Sequence, residues 1–171
     1  MSDLFHKAID RLLSNEGGFT DDPKDPGNWT GGHVGVGECK GTKFGISAAS
    51  FPDVDIKNLT RPAAIELYRT RYWDAVTDVS DAVRYQMLDA GANHGTHRAI
   101  KLLQQAIGAT PDGAWGPNSA AKAAATDNND ILLRFLGSRL IFMTDCHTWP
   151  TYGKGWSRRI GTNLLYASED N

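Results

Sequence analysis

The sequence predicts a mainly helical fold with one small sheet or glycine-rich loop near the N-terminus. Three observations predict it. Apolar residues recur at helical spacing over residues 3–15 and through most of the chain after residue 60. Between these stretches, residues 17–47 hold two prolines and repeated glycines, which rule out a continuous helix. The 171 residues are 40% hydrophobic and 22% charged, enough apolar material for a core and too mixed for disorder. That length suits one domain, or one domain with a small appended lobe.

The elements follow in order. Over residues 3–15, Ser2 or Asp3 can cap a helix whose apolar face is Leu4, Phe5, Ala8, Ile9, Leu12 and Leu13, and Gly17-Gly18 ends it. Pro23, Pro26 and the glycines of GNWTGGHVGVGECKG make the following stretch a loop, with short strands expected around KFGIS. A loop this long in a compact domain is usually functional or mobile. Thr60 caps the next helix and Pro62 fits its first turn, with Ile65, Tyr68, Tyr72 and Trp73 assigned to the core. A longer helical region, 80–107, points Val83, Met87, Ala90, Ile100, Leu103 and Ile107 inward and breaks at AGANHG. ATPDGAWGP, residues 109–117, is a turn-rich joint. Helices are expected over 117–126 and 129–145, the second carrying Ile131, Leu132, Phe135, Leu136, Leu140 and Phe142. The tail, TWPTYGKGWSRRIGTNLLY, reads as mixed, with at most a short final helix.

Composition excludes several functions. A net charge of −2 does not suit a polyanion or nucleic-acid binder, and Lys154, Arg158 and Arg159 read as a solvated basic patch. No apolar run approaches the ~20 residues of a membrane span. SDLFHKAIDRLL is amphipathic and charged, unlike a signal peptide, so the chain is expected to be made in a cytoplasm without an export code of its own. Cys39 and Cys146 read as free thiols. His94 and His97 are three apart, but no HExxH, CxxC, GxSxG, GxxxxGK[ST] or dinucleotide-binding glycine pattern occurs, so neither a metal nor another cofactor is expected.

Carboxylates are the more promising chemistry. Glycoside cleavage needs one carboxylic acid to protonate the leaving oxygen and a second group to hold water or attack. Glu16 sits where its helix ends, so the helix dipole disfavours its charge, and the glycines after it leave room for a bulky substrate. Asp25 lies nine positions on and could face it across a cleft. Asp21 and Asp22 suit turn chemistry before proline. Thr30 and Thr42 are the hydroxyls that could hold a water. Trp29 either lines a sugar groove or anchors the loop.

Glu16-Gly17-Gly18-Phe19, then Asp25-Pro26-Gly27, then Thr42-Lys43-Phe44-Gly45-Ile46-Ser47 resemble the N-terminal signature of glycoside hydrolase family 108, the N-acetylmuramidases of phage endolysins and related bacterial lysozymes. YRTRYWD at 68–74, AGANHGTHRAIKLLQQAIG, the DGAWGP joint and YGKGWSRR at 152–159 extend the likeness in the same order. The resemblance implies a mainly α, lysozyme-like domain with a small β-sheet near the N-terminus. It implies a catalytic muramidase portion at 1–108 and a helical, peptidoglycan-binding-like portion at 109–171 packed on it, or one single domain. It implies Glu16 as the catalytic acid, Asp25 as its partner and Thr42 as the third member, with Thr30 the alternative because WTGGHVGVGECKG intervenes. Trp29, Asn93, His94, Asp112 and Trp115 are the substrate-binding candidates, although Asp112 and Trp115 could equally be structural parts of the joint. The expected partner is bacterial peptidoglycan. The expected setting is a monomeric phage lysin held in the host cytoplasm until a holin releases it to the cell wall. A lytic transglycosylase and a non-catalytic peptidoglycan-binding or virion module are the alternatives.

Overall fold

The computed structural model describes residues 3–13 and 18–171. Glu16 and Gly17 of the sequence signature, and the capping residue Ser2, lie outside the described residues. In chain order the elements are α1 (Asp3–Leu13), a 3-10 turn (Pro26–Asn28), β1 (Thr42–Lys43), β2 (Ile46–Ser47), α2 (Arg61–Tyr68) running into a π-helical turn (Arg69–Trp73), α3 (Asp81–His94), α4 (Thr96–Ala106), α5 (Pro117–Ala124), α6 (Asn128–Thr144) and α7 (Trp149–Asp170). The mainly helical expectation holds. None of the described helices is long and apolar enough to cross a membrane.

The chain forms two compact units: His6–Arg69, and Thr70–Asn171 together with the residues up to Phe5. The division expected at 108/109 therefore falls inside the larger unit, and α3 to α7 share one core. That core is built from Val83, Met87 and Ala90 of α3, Ala99, Ile100 and Leu103 of α4, Ile131, Leu132, Phe135 and Leu136 of α6, and Ile160 and Ala167 of α7. These are the positions that 3.6-residue periodicity points inward. Gly95, at φ 78, ends α3 and opens α4, so the expected break at AGANHG is real.

The smaller unit buries Ala8 and Ile9 of α1, Ile46 of β2, Ile56, Leu59, and Ala64 and Tyr68 of α2. Thr60 caps α2 by accepting the Ala63 N–H. Asp10 and Arg61 pair at 2.9 Å and link α1 to α2. The strands fall where KFGIS placed them: β1 and β2 form an antiparallel hairpin, with Thr42 opposite Ser47 and Lys43 opposite Ile46. Phe44 and Gly45 make its two-residue turn at φ 52 and 71, the positive values a type I′ turn requires. Phe44 pays for that left-handed backbone, and the Tyr68 hydroxyl donating to its carbonyl at 2.9 Å holds it there.

Within the glycine-rich loop, Pro26 opens a short 3-10 turn with its fixed φ. One expectation needs correction: the tail is one 22-residue helix, not a mixed segment. Its glycines each cost about 1 kcal/mol in helix propensity. Against that cost, Ile160, Asn163 and Ala167 are buried, and Trp149 and Trp156 pack against the core. Gly153 is needed where it stands, since a Cβ there would enter the Trp149 ring.

Candidate active site

Within the smaller unit, both Asp-Pro steps do turn chemistry. Asp22 Oδ1 accepts the Lys24 N–H at 2.9 Å, and Asp25 Oδ1 caps the 3-10 turn by accepting the Gly27 N–H at 2.8 Å. Asp25 is exposed, and its Oδ2 has no partner among the described residues.

Asn28, fully buried, connects these turns to the hairpin. Its Nδ2 donates to the Asp22 carbonyl at 3.0 Å, and its Oδ1 accepts the Thr42 hydroxyl at 2.7 Å. Its own N–H donates to the Asp25 carbonyl at 3.1 Å, and its carbonyl accepts the Lys40 and Gly41 N–H groups. Thr42 also exchanges two backbone hydrogen bonds with Thr20, at 2.7 and 2.9 Å. One buried amide thus ties the turn that carries Asp25 to the strand that carries Thr42. Sequence reasoning missed Asn28, because an asparagine after Pro-Gly reads as another turn former.

Thr30 has a different role. Its hydroxyl accepts the Glu38 N–H at 3.0 Å, and its backbone pairs with the same residue, closing the glycine-rich loop on itself. Gly37, at φ 80, fits beside that hydroxyl only because it lacks a Cβ. Trp29 anchors the loop: its indole N–H donates to the Pro23 carbonyl at 2.9 Å, and its backbone bridges Cys39. The ring stays partly exposed.

The remaining substrate-binding candidates belong to the larger unit. Asn93 is exposed, and its amide donates to the Asp89 carbonyl at 2.6 Å. His94 packs edge-on to Phe142, with its buried Nε2 unpartnered. Burial, then the nearby Arg139 charge, pulls its pKa down to about 4. Asp112 Oδ1 accepts Gln104 Nε2 at 2.8 Å and the Ala114 N–H at 2.9 Å. The Ala114 and Gln104 bonds hold its carboxyl below the usual range. The same buried Gln104 also bonds Gly113, Ala114 and Ser119, clipping the joint to α4. Trp115 lies partly buried against the core. Asp112 does line a cleft of about 830 Å³, together with Thr110, Asn118, Ser119 and Lys122.

The larger unit holds one further charged cluster that the sequence did not reveal. Asp89 Oδ2 accepts Arg139 Nη2 and Asn163 Nδ2, each at 2.7 Å, while Oδ1 accepts Arg159 Nε at 2.9 Å and Nη2 at 2.7 Å. Burial pushes the Asp89 carboxyl up, but the two guanidiniums outweigh it and hold the group below the usual range. Arg159 is therefore not part of a solvated patch, whereas Arg158 is exposed. The cluster connects α3, α6 and α7, and its partners lie 50 to 74 residues from Asp89 in sequence. Cys39 and Cys146 are free thiols. No group of three His, Cys, Asp or Glu side chains suited to a metal occurs among the described residues.

The family model for glycosyl hydrolase 108 matches residues 9–95 of this chain. No curated protein matches the sequence. Among solved structures, SagA of Brucella abortus is similar at 30% identity, over 97% of this chain and 94% of that one, with a TM-score of 0.80.

Proposed function

Because the chain belongs to the glycosyl hydrolase 108 family, and is thus a lysozyme-like glycoside hydrolase acting on peptidoglycan, we propose that it hydrolyses the β-1,4 bond between N-acetylmuramic acid and N-acetylglucosamine. Glu16 is the general acid. It protonates the glycosidic oxygen as the bond breaks, and the anomeric carbon gains oxocarbenium-like charge. Asp25 activates the attacking water or stabilises that charge. Thr42 holds the water: its hydroxyl donates its hydrogen bond to Asn28 Oδ1, and its lone pairs are left to accept a hydrogen bond from water.

The observation that carries this reading is the Asn28 link. It fixes the Asp25 turn and the Thr42 strand in one small unit, downstream of Glu16 and inside the segment matched by the family model. The same link favours Thr42 over Thr30, whose hydroxyl is engaged by Glu38. The separation of the two carboxyl groups sets the stereochemical outcome: about 6.5–9.5 Å for inversion and about 5–5.5 Å for retention.

The protein serves as an endolysin. It acts as a monomer, accumulates in the host cytoplasm and is released to the wall by a holin, which brings about host lysis. Mass spectrometry of digested sacculi tests the chemistry. Hydrolysis predicts muropeptides with reducing N-acetylmuramic acid ends, and anhydromuramic products would identify a transglycosylase instead. Single-turnover product analysis by NMR then reads inversion or retention from the anomer first formed.

A further inference from the structure

The smaller unit contains a concave feature that meets the Asn28 link through the Lys40 N–H, which donates to the Asn28 carbonyl. It is a pocket of about 410 Å³ bounded by Phe19, Asp21, Lys40, Asp53 and Lys57, with buried Ile56 in its wall. Its volume lies within the range of small-molecule sites. Its lining is unusual for a sugar subsite. Among the described residues, neutral amides and hydroxyl side chains, the groups that match sugar hydroxyls, are absent from its lining, and both signs of charge are present.

Those charges are not spent on one another. Asp21, Asp53 and Lys57 make no hydrogen bond or ion pair through their charged groups among the described residues. Lys40 is held in position by donating to the Pro52 carbonyl at 2.7 Å and by an ion pair with Glu38 at 3.6 Å, so Lys57 is the lysine of the pocket whose ammonium has no such partner among the described residues. Asp55 differs: the Asn58 side chain and N–H both bond its carboxylate and keep its pKa below the usual value. Asp21, Asp53 and Lys57 thus face one cavity with no ion pair of their own among the described residues, while Lys40 is paired with Glu38 and both lysines act on the Asp55 carboxylate. Phe19, 36% exposed, adds an apolar surface at the rim.

We propose that this pocket binds a zwitterionic amino-acid end, one free ammonium with one free carboxylate, and that on peptidoglycan it takes the stem peptide and not the glycan. Lys57 and Lys40 receive the carboxylate, Asp53 and Asp21 receive the ammonium, and Phe19 covers the aliphatic carbons between them. Each contact is a charge-assisted hydrogen bond in a concave, partly desolvated setting. The proposal rests on the peptidoglycan-hydrolase reading and adds a preference for muramic acid residues that carry peptide.

The test has two arms. In the first, the protein is titrated with the free tripeptide L-alanyl-γ-D-glutamyl-meso-diaminopimelate and followed by amide NMR. Shifts centred on Phe19, Asp53 and Lys57 are expected, and they should be lost in Asp53→Asn and Lys57→Gln. Both residues are exposed, so thermal melts should match the parent. In the second arm, hydrolysis of intact sacculi is compared with hydrolysis of the same sacculi stripped of peptide by an amidase. The parent should favour the peptide-bearing strands by about tenfold, and both variants should bring that ratio toward one. Equal parent rates on the two substrates, or shifts produced by a peptide-free muroglycan tetrasaccharide instead of the tripeptide, would overturn the proposal. Failure of the parent to cleave either substrate would refute the hydrolase reading, while the titration would still decide the pocket.

Discussion

Asn28 joins the turn that carries Asp25 to the strand that carries Thr42 through one buried side chain. Asn28→Ala removes the acceptor of the Thr42 hydroxyl and the donor to the Asp22 carbonyl, both part-buried bonds. Such losses cost about 1–3 kcal/mol. The expected outcome is a lower Tm together with a fall in kcat larger than any rise in KM, read by steady-state assay at a temperature where the variant remains folded. Asn28 could not be found from the sequence because its importance comes from segments brought to it by folding; Asp89 was hidden for the same reason. Glu16, Asp25 and Thr42, by contrast, are proposed from the sequence because a local pattern carries them. In the larger unit His94 gives a pH prediction. Its folded pKa, about 4, lies below the ordinary 6.5, so between those values the unfolded chain holds a proton that the folded chain does not. This group therefore costs stability as pH falls from about 6.5 to about 4, with no further loss below that. The facing charges are Asp89 on its own helix, Arg139 of α6, Arg159 of α7 and Arg98 of α4. Urea melts at several pH values should show His94→Leu gaining on the parent as the pH falls through that window. A constant difference would contradict this reading of the site.

At the scale of elements, most helices were legible from periodicity and caps, and α7 was not. Its glycines argue for a broken tail, while its burial pattern of Trp149, Gly153, Trp156, Ile160, Asn163 and Ala167 is that of a continuous amphipathic helix. Packing overrides propensity here, because α7 supplies Arg159 and Asn163 to Asp89 as well as apolar residues to the core. Gly153→Ala sets the two effects against each other. Propensity alone would stabilise the helix by about 1 kcal/mol. The added Cβ would enter the Trp149 ring, and overpacking typically costs about 1–3 kcal/mol. A net fall in Tm is expected by calorimetry, and a rise would mean that Trp149 moves aside without cost. The hairpin is the opposite case: its two-residue turn and strand pairing lay where KFGIS suggested, since turn chemistry is local.

At the scale of the whole molecule, sequence motifs located the family, while the compact units follow which apolar faces share a core. Residue 108 marks a joint between helices, whereas the compact units separate at Arg69 and Thr70. Motif likeness tracks chemistry along the chain, and compactness tracks which apolar faces share a core. The continuous core of α3, α4, α6 and α7 crosses the DGAWGP joint, and Gln104 secures that joint to α4. The proposed role of Glu16 as the general acid of this lysozyme-like hydrolase rests on one rate. Release of reducing N-acetylmuramic acid ends from purified sacculi is measured for the parent and for Glu16→Gln, with binding to sacculi checked by co-sedimentation. A general-acid Glu16 requires a loss of about 10²–10⁴-fold with binding retained. Release by Glu16→Gln at the parent rate would contradict it.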